Sequence, residues 1–168
     1  MTEECKCPPE AGAATCEPDT HRTVSCPVCG RSGKSVNTLT LKALLAVPLI
    51  EVRSVEYRFC RTSDCSVVYY SVDGRQRFVQ DALRESVHQK HPSADVFVCY
   101  CFRHTPRSIK SELAATGQSS VVAAITVGIE AGQRACDVRN PQGSCCLGNV
   151  RAVIGNYEKE SCLVENHG

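Results

Sequence analysis

Residues 57–70 read YRFCRTSDCSVVYY, with a run of strand-forming residues at each end and a polar loop between them. Aromatic and β-branched residues favour β-strands, and a short loop between two such runs favours an antiparallel pair. We predict strands over 55–59 and 67–71. The Asp-Gly turn signal that follows them predicts a third strand over 75–78. The stretch therefore indicates a small antiparallel sheet.

Two pairs of cysteines accompany this sheet. Cys60 and Cys65 border the loop between the first two strands. Cys26 and Cys29 precede the sheet in a Cys-x-x-Cys motif, and the following Gly30 permits the turn that points both sulfurs inward. Two close thiol pairs on separate loops are typical of a structural zinc site, which adds folding free energy to a small domain. We predict such a site; buried or disulfide-linked thiol pairs are the alternative.

Cysteine is unusually frequent in this sequence, and aromatic residues are few. The 168 residues include 13 Cys, four Phe, five Tyr and no Trp, so the apolar core is modest. The acidic opening of the sequence lacks the basic and apolar regions of a secretory signal, which favours a cytoplasmic location. Because disulfides are rare in the cytoplasm, we interpret the cysteines first as metal ligands. A disulfide scaffold is the alternative.

Charge and hydropathy exclude several classes of function. The 19 Lys and Arg residues nearly balance the 18 Asp and Glu residues, so neither nucleic acid nor a membrane surface is an expected partner. The apolar runs are shorter than the roughly 20 residues of a membrane span. No combination of Cys, His and Asp indicates a nucleophilic enzyme. We expect a metal-binding protein that is not an enzyme.

Helix signals dominate the second half of the chain. Thr105 and Pro106 predict a helix start, and Gly117 predicts its end. Ser119 or Ser120 is the predicted N-cap of the next helix, which has one apolar face. Three more helices are predicted over 39–47, 80–87 and 147–154.

A second group of thiols lies in this helical half. It comprises Cys99, Cys101, Cys136, Cys145 and Cys146. A Cys-x-Cys pair on a loop can hold one edge of an iron–sulfur cluster. Helix starts suit the remaining ligands, because their backbone N–H groups favour an anionic cluster. We predict a [2Fe-2S] site here; by spacing alone, a second zinc is an open alternative.

Several motifs in this order resemble the N-terminal domain of CopZ-type copper chaperones over about residues 25–154. The motifs are CPVCG (26–30), YRFCRTSDCSVVYY (57–70), VCYCF (98–102) and NPQGSCCLGNV (140–150). The resemblance implies one Zn²⁺ and one [2Fe-2S] cluster, with a second half similar to bacterioferritin-associated ferredoxin. It implies that the zinc ligands are Cys26, Cys29, Cys60 and Cys65. It implies that the cluster ligands are Cys99, Cys101, Cys136 and Cys146, which leaves Cys145 spare.

The expected fold class is α+β, with a zinc-stapled antiparallel sheet domain followed by a helical [2Fe-2S] domain. The boundary between the two falls near Pro92. We divide the chain into a flexible Cys-containing tail (1–22), a zinc-binding α/β domain (23–94), a helical cluster-binding domain (95–156) and a C-terminal tail (157–168).

The resemblance implies a redox-active protein of copper handling, in which the cluster reduces Cu(II) to Cu(I). Copper ions are the expected cargo, and a copper-transporting ATPase or a separate copper chaperone is the expected partner. If Cu⁺ is bound, Cys5, Cys7 and Cys16 are the best candidates, because thiolates are soft ligands. The alternatives are a ferredoxin-like electron carrier that never binds copper and a structural two-zinc adaptor.

Overall fold

The computed structural model describes residues 25–165, which form an α+β fold, as predicted. The described strands are β1 (Lys34–Val36), β2 (Tyr57–Phe59), β3 (Val67–Ser71) and β4 (Arg77–Val79). The described α-helices are α1 (Thr38–Leu44), α2 (Pro106–Thr116), α3 (Val121–Glu130), α4 (Cys136–Arg139) and α5 (Leu147–Glu165). Two 3₁₀ turns lie at Leu49–Glu51 and Gln80–Ala82.

The sheet is antiparallel with the strand order β1-β2-β3-β4. All five residues of β3 are buried, because this central strand packs on both faces. Val68 and Tyr69 belong to the core beneath α1, whereas Val67 and Tyr70 pack against cysteines. A register shift between Val67 and Tyr69 marks the irregularity in the pairing of β3 with β4. The strand therefore connects the apolar core to the thiol-rich end of the sheet.

A second core joins the long helices. α5 packs against both α2 and α3. The buried residues of this core include Ile109, Ile125 and Val150, and Cys99 and Cys146 are buried among them. The cysteines of the helical half are thus part of its packing as well as potential ligands.

The caps of α2 agree with the sequence prediction. The Thr105 hydroxyl accepts a hydrogen bond from the Ser108 backbone N–H, and the Ser108 hydroxyl pairs with the Thr105 backbone N–H at 3.1 Å. This reciprocal capping box satisfies two N–H groups that the helix leaves unpaired. Gly117 ends the helix in the left-handed conformation with φ of 71°.

Two predictions about elements are wrong, and one strand was not predicted. The predicted helix over 80–87 is only the 3₁₀ turn, because the Gln80 side chain accepts from the Val87 N–H and donates to the Glu85 carbonyl in place of helical bonds. The helix predicted over 147–154 is longer than expected, because α5 continues beyond Ile154 to Glu165. Strand β1 was not predicted, because its three residues gain strand geometry only by pairing with β2.

The sheet half and the helical half touch each other. α1 packs against the short helix α4. The Tyr69 hydroxyl donates to the Pro141 carbonyl at 2.6 Å, which links β3 to the segment before α5. Within the described part of the chain, no helix has the length and apolarity that crossing a membrane requires.

Candidate metal centres

The first thiol pair lies on a tight turn before the sheet. The Gly30 N–H donates to the Cys26 carbonyl at 2.9 Å, and the Cys26 N–H donates to the Arg31 carbonyl at 2.8 Å. Gly30 has φ of 71°, a conformation that glycine adopts without the steric cost of a side chain. These bonds turn the backbone so that Cys26 and Cys29 present their sulfurs to the same side.

The second thiol pair lies at the end of the β2–β3 hairpin. The Cys60 N–H donates to the Val68 carbonyl at 2.8 Å, which continues the pairing of the two strands. The Cys65 N–H donates to the Thr62 carbonyl within the loop. The hairpin therefore fixes the backbone on both sides of the loop, and thirty residues separate this pair from the first along the chain.

All four sulfurs of these two pairs lie within 4.8 Å of one another. The Sγ atoms of Cys26 and Cys65 are 3.8 Å apart, and those of Cys29 and Cys60 are 3.7 Å apart. A tetrahedron with zinc–sulfur bonds of about 2.3 Å has sulfur–sulfur edges of about 3.8 Å. The donor set and its spacing thus fit a four-thiolate zinc ion.

The electrostatics of this site favour a bound cation. Hydrogen bonding to the Thr62 hydroxyl, 3.3 Å from the sulfur, lowers the pKa of Cys29 to about 6. Burial raises the pKa of Cys65 to about 12. Four thiolates this close together, three of them buried, repel one another, so a divalent ion is needed before all four can carry charge.

Lys90 supports the hairpin loop of this site. Its side chain is buried, with 8% of the residue exposed, and Nζ donates to the carbonyls of Thr62 at 2.6 Å and Cys65 at 3.1 Å. Sequence reasoning missed this residue, because an isolated lysine gives no signal of burial and the contact spans 25 positions. Lys90 holds the loop that presents Cys65.

The second group of thiols contains two interacting pairs. The Sγ atoms of Cys101 and Cys136 are 3.6 Å apart, and both residues are half-buried. Cys99 and Cys146 are buried, and their hydrogen bond lowers the pKa of Cys99 to about 7 and raises the pKa of Cys146. Among the residues described, the first group alone brings three or more ligand atoms within 4.8 Å.

A turn and two helix starts position these pairs. The Val98 N–H donates to the His104 carbonyl, which closes the loop that carries Cys99 and Cys101. Cys136 is the first residue of α4. The Val150 N–H donates to the carbonyl of Cys146, so Cys146 stands at the start of α5. A backbone N–H also reaches a sulfur directly, from Ala135 to Cys101 at 3.4 Å.

The remaining cysteines differ in position. Cys145 is exposed, whereas the adjacent Cys146 is buried. The nine cysteines from Cys26 to Cys146 are all free thiols, so the structure contains none of the disulfides that were the alternative for this range. The tail cysteines predicted to hold Cu⁺, which are Cys5, Cys7 and Cys16, lie outside the described residues.

Comparison with known proteins supports the assignment of the first site. A family model described as a zinc binding domain, zf_CopZ, matches residues 23–84. The crystal structure of the Archaeoglobus fulgidus CopZ N-terminal domain is similar to this chain, with a TM-score of 0.65 and 27% sequence identity, over 77% of this chain and 96% of that one. No curated protein sequence matches the chain. The predicted resemblance to a CopZ N-terminal domain is confirmed.

Proposed function

We propose that this chain is a metal-binding protein of copper handling that holds one structural zinc and one [2Fe-2S] cluster and reduces Cu(II) to Cu(I). Its resemblance to a zinc-binding, CopZ-like domain supports the general role. The presence of the cluster, the identity of its ligands and the reduction of Cu(II) go beyond this general role. They rest on the difference in geometry between the two groups of thiols.

The first group suits zinc. Cys26, Cys29, Cys60 and Cys65 would bind it, since their sulfurs already have the separations of a tetrahedron. A closed four-cysteine site has no position for a reacting water or substrate. The zinc would therefore stabilise the sheet half and take no part in redox chemistry.

The second group suits a centre with two metal atoms. Cys101 with Cys136 and Cys99 with Cys146 form separate pairs, and a [2Fe-2S] cluster needs two cysteines on each of its two irons. A single zinc would draw all four sulfurs to the corners of one tetrahedron, as in the first group. The paired arrangement therefore favours the cluster over a second zinc.

When bound, the reduced cluster supplies one electron, so that one Fe(II) becomes Fe(III) as one Cu(II) becomes Cu(I). A one-electron donor, such as a reduced flavoprotein, would have to replace that electron. The protein's own contribution is to bury one thiol pair and leave Cys101 and Cys136 half-buried. This difference in burial makes the Cys101 side the expected path for an electron to or from solvent.

Metal and sulfide analysis of anaerobically purified protein tests the proposal. We expect about one zinc, two irons and two acid-labile sulfides per chain, with visible charge-transfer absorption. Two zincs in a colourless protein would contradict the cluster and leave a structural adaptor.

A second measurement separates copper reduction from simple electron transfer. Dithionite-reduced protein, freed of excess dithionite, is mixed with Cu(II) and a colorimetric chelator selective for Cu(I). Oxidised protein treated in the same way measures the Cu(I) that forms when Cu(II) oxidises free thiols such as Cys145. We expect the reduced protein to form about one Cu(I) per chain more than this control, with loss of the reduced-cluster spectrum. Protein that contains the cluster but forms no additional Cu(I) would instead be an electron carrier without a copper role.

A further inference from the structure

A cleft of about 320 Å³ opens between α1, α4 and the loop that carries Cys99 and Cys101. Three arginines line it, and they come from different parts of the chain: Arg84 follows the sheet, Arg103 follows the cysteine loop, and Arg139 ends α4. All three are exposed. The fold thus collects three guanidinium groups at one place on the surface.

Two of these arginines are held by uncharged partners. Arg84 Nε donates to the Leu45 carbonyl at 2.9 Å. The guanidinium carbon of Arg103 lies 4.3 Å from the centre of the Phe97 ring. Arg103 also has φ of 59°, the left-handed conformation that residues other than glycine rarely adopt. The contacts fix the side chains without neutralising their charge.

The charge of the cleft is positive. Among the described side chains, none of these three arginines takes part in an ion pair; the cations that do are Arg53, Arg58, Arg107 and Lys110. Glu85 is the one carboxylate among the lining residues. Three positive groups and one negative group leave a net charge of +2 around the cleft, which is suited to an anionic partner.

Two of the residues that line the cleft follow the half-buried thiols closely in the sequence. Arg103 lies two residues after Cys101, and Arg139 lies three residues after Cys136. Val138, also in the lining, is an exposed apolar side chain with 38% of its surface accessible. An anionic group bound here would therefore stand beside the side of the proposed cluster that is nearest to solvent.

We propose that these arginines dock an acidic segment of a protein that exchanges electrons with this chain. The proposal rests on the proposed function, because the partner's role depends on a redox centre at Cys101 and Cys136. The exposure of the arginines favours a protein over a small anion: an isolated exposed ion pair contributes little, whereas a protein surface engages several charges together and covers Val138. Weak redox complexes use small, charged interfaces of this kind.

Fluorescence anisotropy tests the docking surface. The probe is a fluorescein-labelled peptide of alternating glutamate and serine, titrated with the full chain at low salt and at about 150 mM salt, with a lysine–serine peptide as the control. We expect the acidic peptide to bind at low salt, to weaken as salt rises, and to bind more tightly than the basic one. Equal binding of the two peptides would overturn the proposal.

A triple variant locates the binding. The variant combines Arg84→Gln, Arg103→Gln and Arg139→Gln. It should weaken acidic-peptide binding by on the order of tenfold, because three exposed ion pairs are lost and each contributes a small factor. The matched control removes three exposed arginines elsewhere, by Arg75→Gln, Arg77→Gln and Arg151→Gln. An equal loss of peptide affinity in both variants would show that only net charge matters and would contradict binding at the cleft. Citrate or inorganic phosphate that displaces the peptide at micromolar concentration would contradict a protein partner.

Spectra of the same samples separate this proposal from the proposed function. Normal visible absorption with no specific peptide binding would refute the docking surface alone. Colourless protein that binds the peptide through the three arginines would refute the cluster and support the acidic docking surface. Unchanged zinc content and circular dichroism in both triple variants show that they are folded.

Discussion

The two groups of thiols are built by different kinds of local structure. Two hydrogen-bonded turns at the end of the sheet bring Cys26, Cys29, Cys60 and Cys65 together, with all sulfurs within 4.8 Å. In the helical half, a loop and two helix starts supply two separate pairs. Tight turns bring four sulfurs together around the place of one ion, whereas the loop and the helix starts supply one buried and one half-buried pair.

The surroundings of the two groups differ as well. The first group packs against Val67 and Tyr70, at the edge of the sheet core. In the second, Cys99 and Cys146 are themselves part of the helical core with Ile109 and Val150. Loss of metal from the first group should therefore mainly destabilise the sheet half. Changes in the second group should affect both the packing of the helices and the binding of metal.

The largest effect is expected for Cys60→Ser. This change removes a buried thiol from the four of the closed site, and a structural zinc contributes directly to folding. We expect loss of bound zinc and a decrease in the free energy of unfolding of at least about 3 kcal/mol. Zinc analysis and urea unfolding measure the two effects.

Cys145→Ser is the control for this change, because that thiol is exposed. It should keep both the zinc and the stability of the natural chain. Full zinc content in the Cys60→Ser protein would remove Cys60 from the ligand set.

The next largest effect is expected on visible absorption, and it distinguishes the two adjacent cysteines of the helical half. Cys146 is buried at the start of α5 beside Cys99, whereas Cys145 is exposed. Cys146→Ser should abolish or strongly shift the visible absorption of the proposed cluster, and Cys145→Ser should change it little. Absorption and circular dichroism in the visible range make the comparison. The reverse pattern would identify Cys145 as the ligand.

Sequence reasoning found the parts of the fold that local chemistry determines. The predicted strand over 67–71 matches β3, because four successive strand-forming residues begin it and all five of its residues are buried. Thr105, Pro106 and Gly117 likewise gave the limits of α2. Strand β1 has no such local signal and depends on pairing with β2.

For the sites, too, sequence reasoning found what short segments determine and missed what depends on packing. The spacing of Cys26, Cys29, Cys60 and Cys65 was enough to predict that they meet, because each pair lies on one turn. The separation of the second group into two pairs depends on how three helices and a loop pack, which spacing does not encode. Lys90 contacts the zinc loop only in the folded chain.

A smaller effect is expected for Lys90→Met. The change keeps the length of the side chain but leaves the carbonyls of Thr62 and Cys65 without their donor in a buried place. Loss of hydrogen bonds of this type costs about 2 kcal/mol. We expect faster zinc release to a chelator, by on the order of tenfold, with the visible absorption of the helical half unchanged.

Lys42→Met is the control for this experiment, because Lys42 is exposed on α1. It should release zinc at the natural rate. Equal release rates for all three proteins would show that Lys90 does not hold the loop, and a loss of visible absorption in Lys90→Met would show that the two halves do not respond separately.

The smallest effects are expected from a pair of glycine substitutions, one in each half. In Gly33→Ala the new Cβ would lie 2.5 Å from the Tyr70 hydroxyl and 2.7 Å from the Phe59 carbonyl, so a backbone atom of β2 has to move. In Gly128→Ala it would meet only the ring of Phe102, at 2.5 Å, and this half-buried side chain can rotate. The gain of about 1 kcal/mol from alanine in a helix offsets part of that cost.

We therefore expect Gly33→Ala to lower the free energy of unfolding by about 2 kcal/mol and Gly128→Ala to change it by less than about 1 kcal/mol. Denaturant unfolding of the two variants side by side gives the difference. The contrast follows from the way each half is built: the thiol end of the sheet depends on fixed backbone positions, because Gly33 also donates its N–H to the Tyr70 hydroxyl at 2.8 Å. The helices around the second group can shift side chains instead. Equal destabilisation by the two substitutions would mean that the helical half is as rigidly packed around Phe102 as the sheet is around Tyr70.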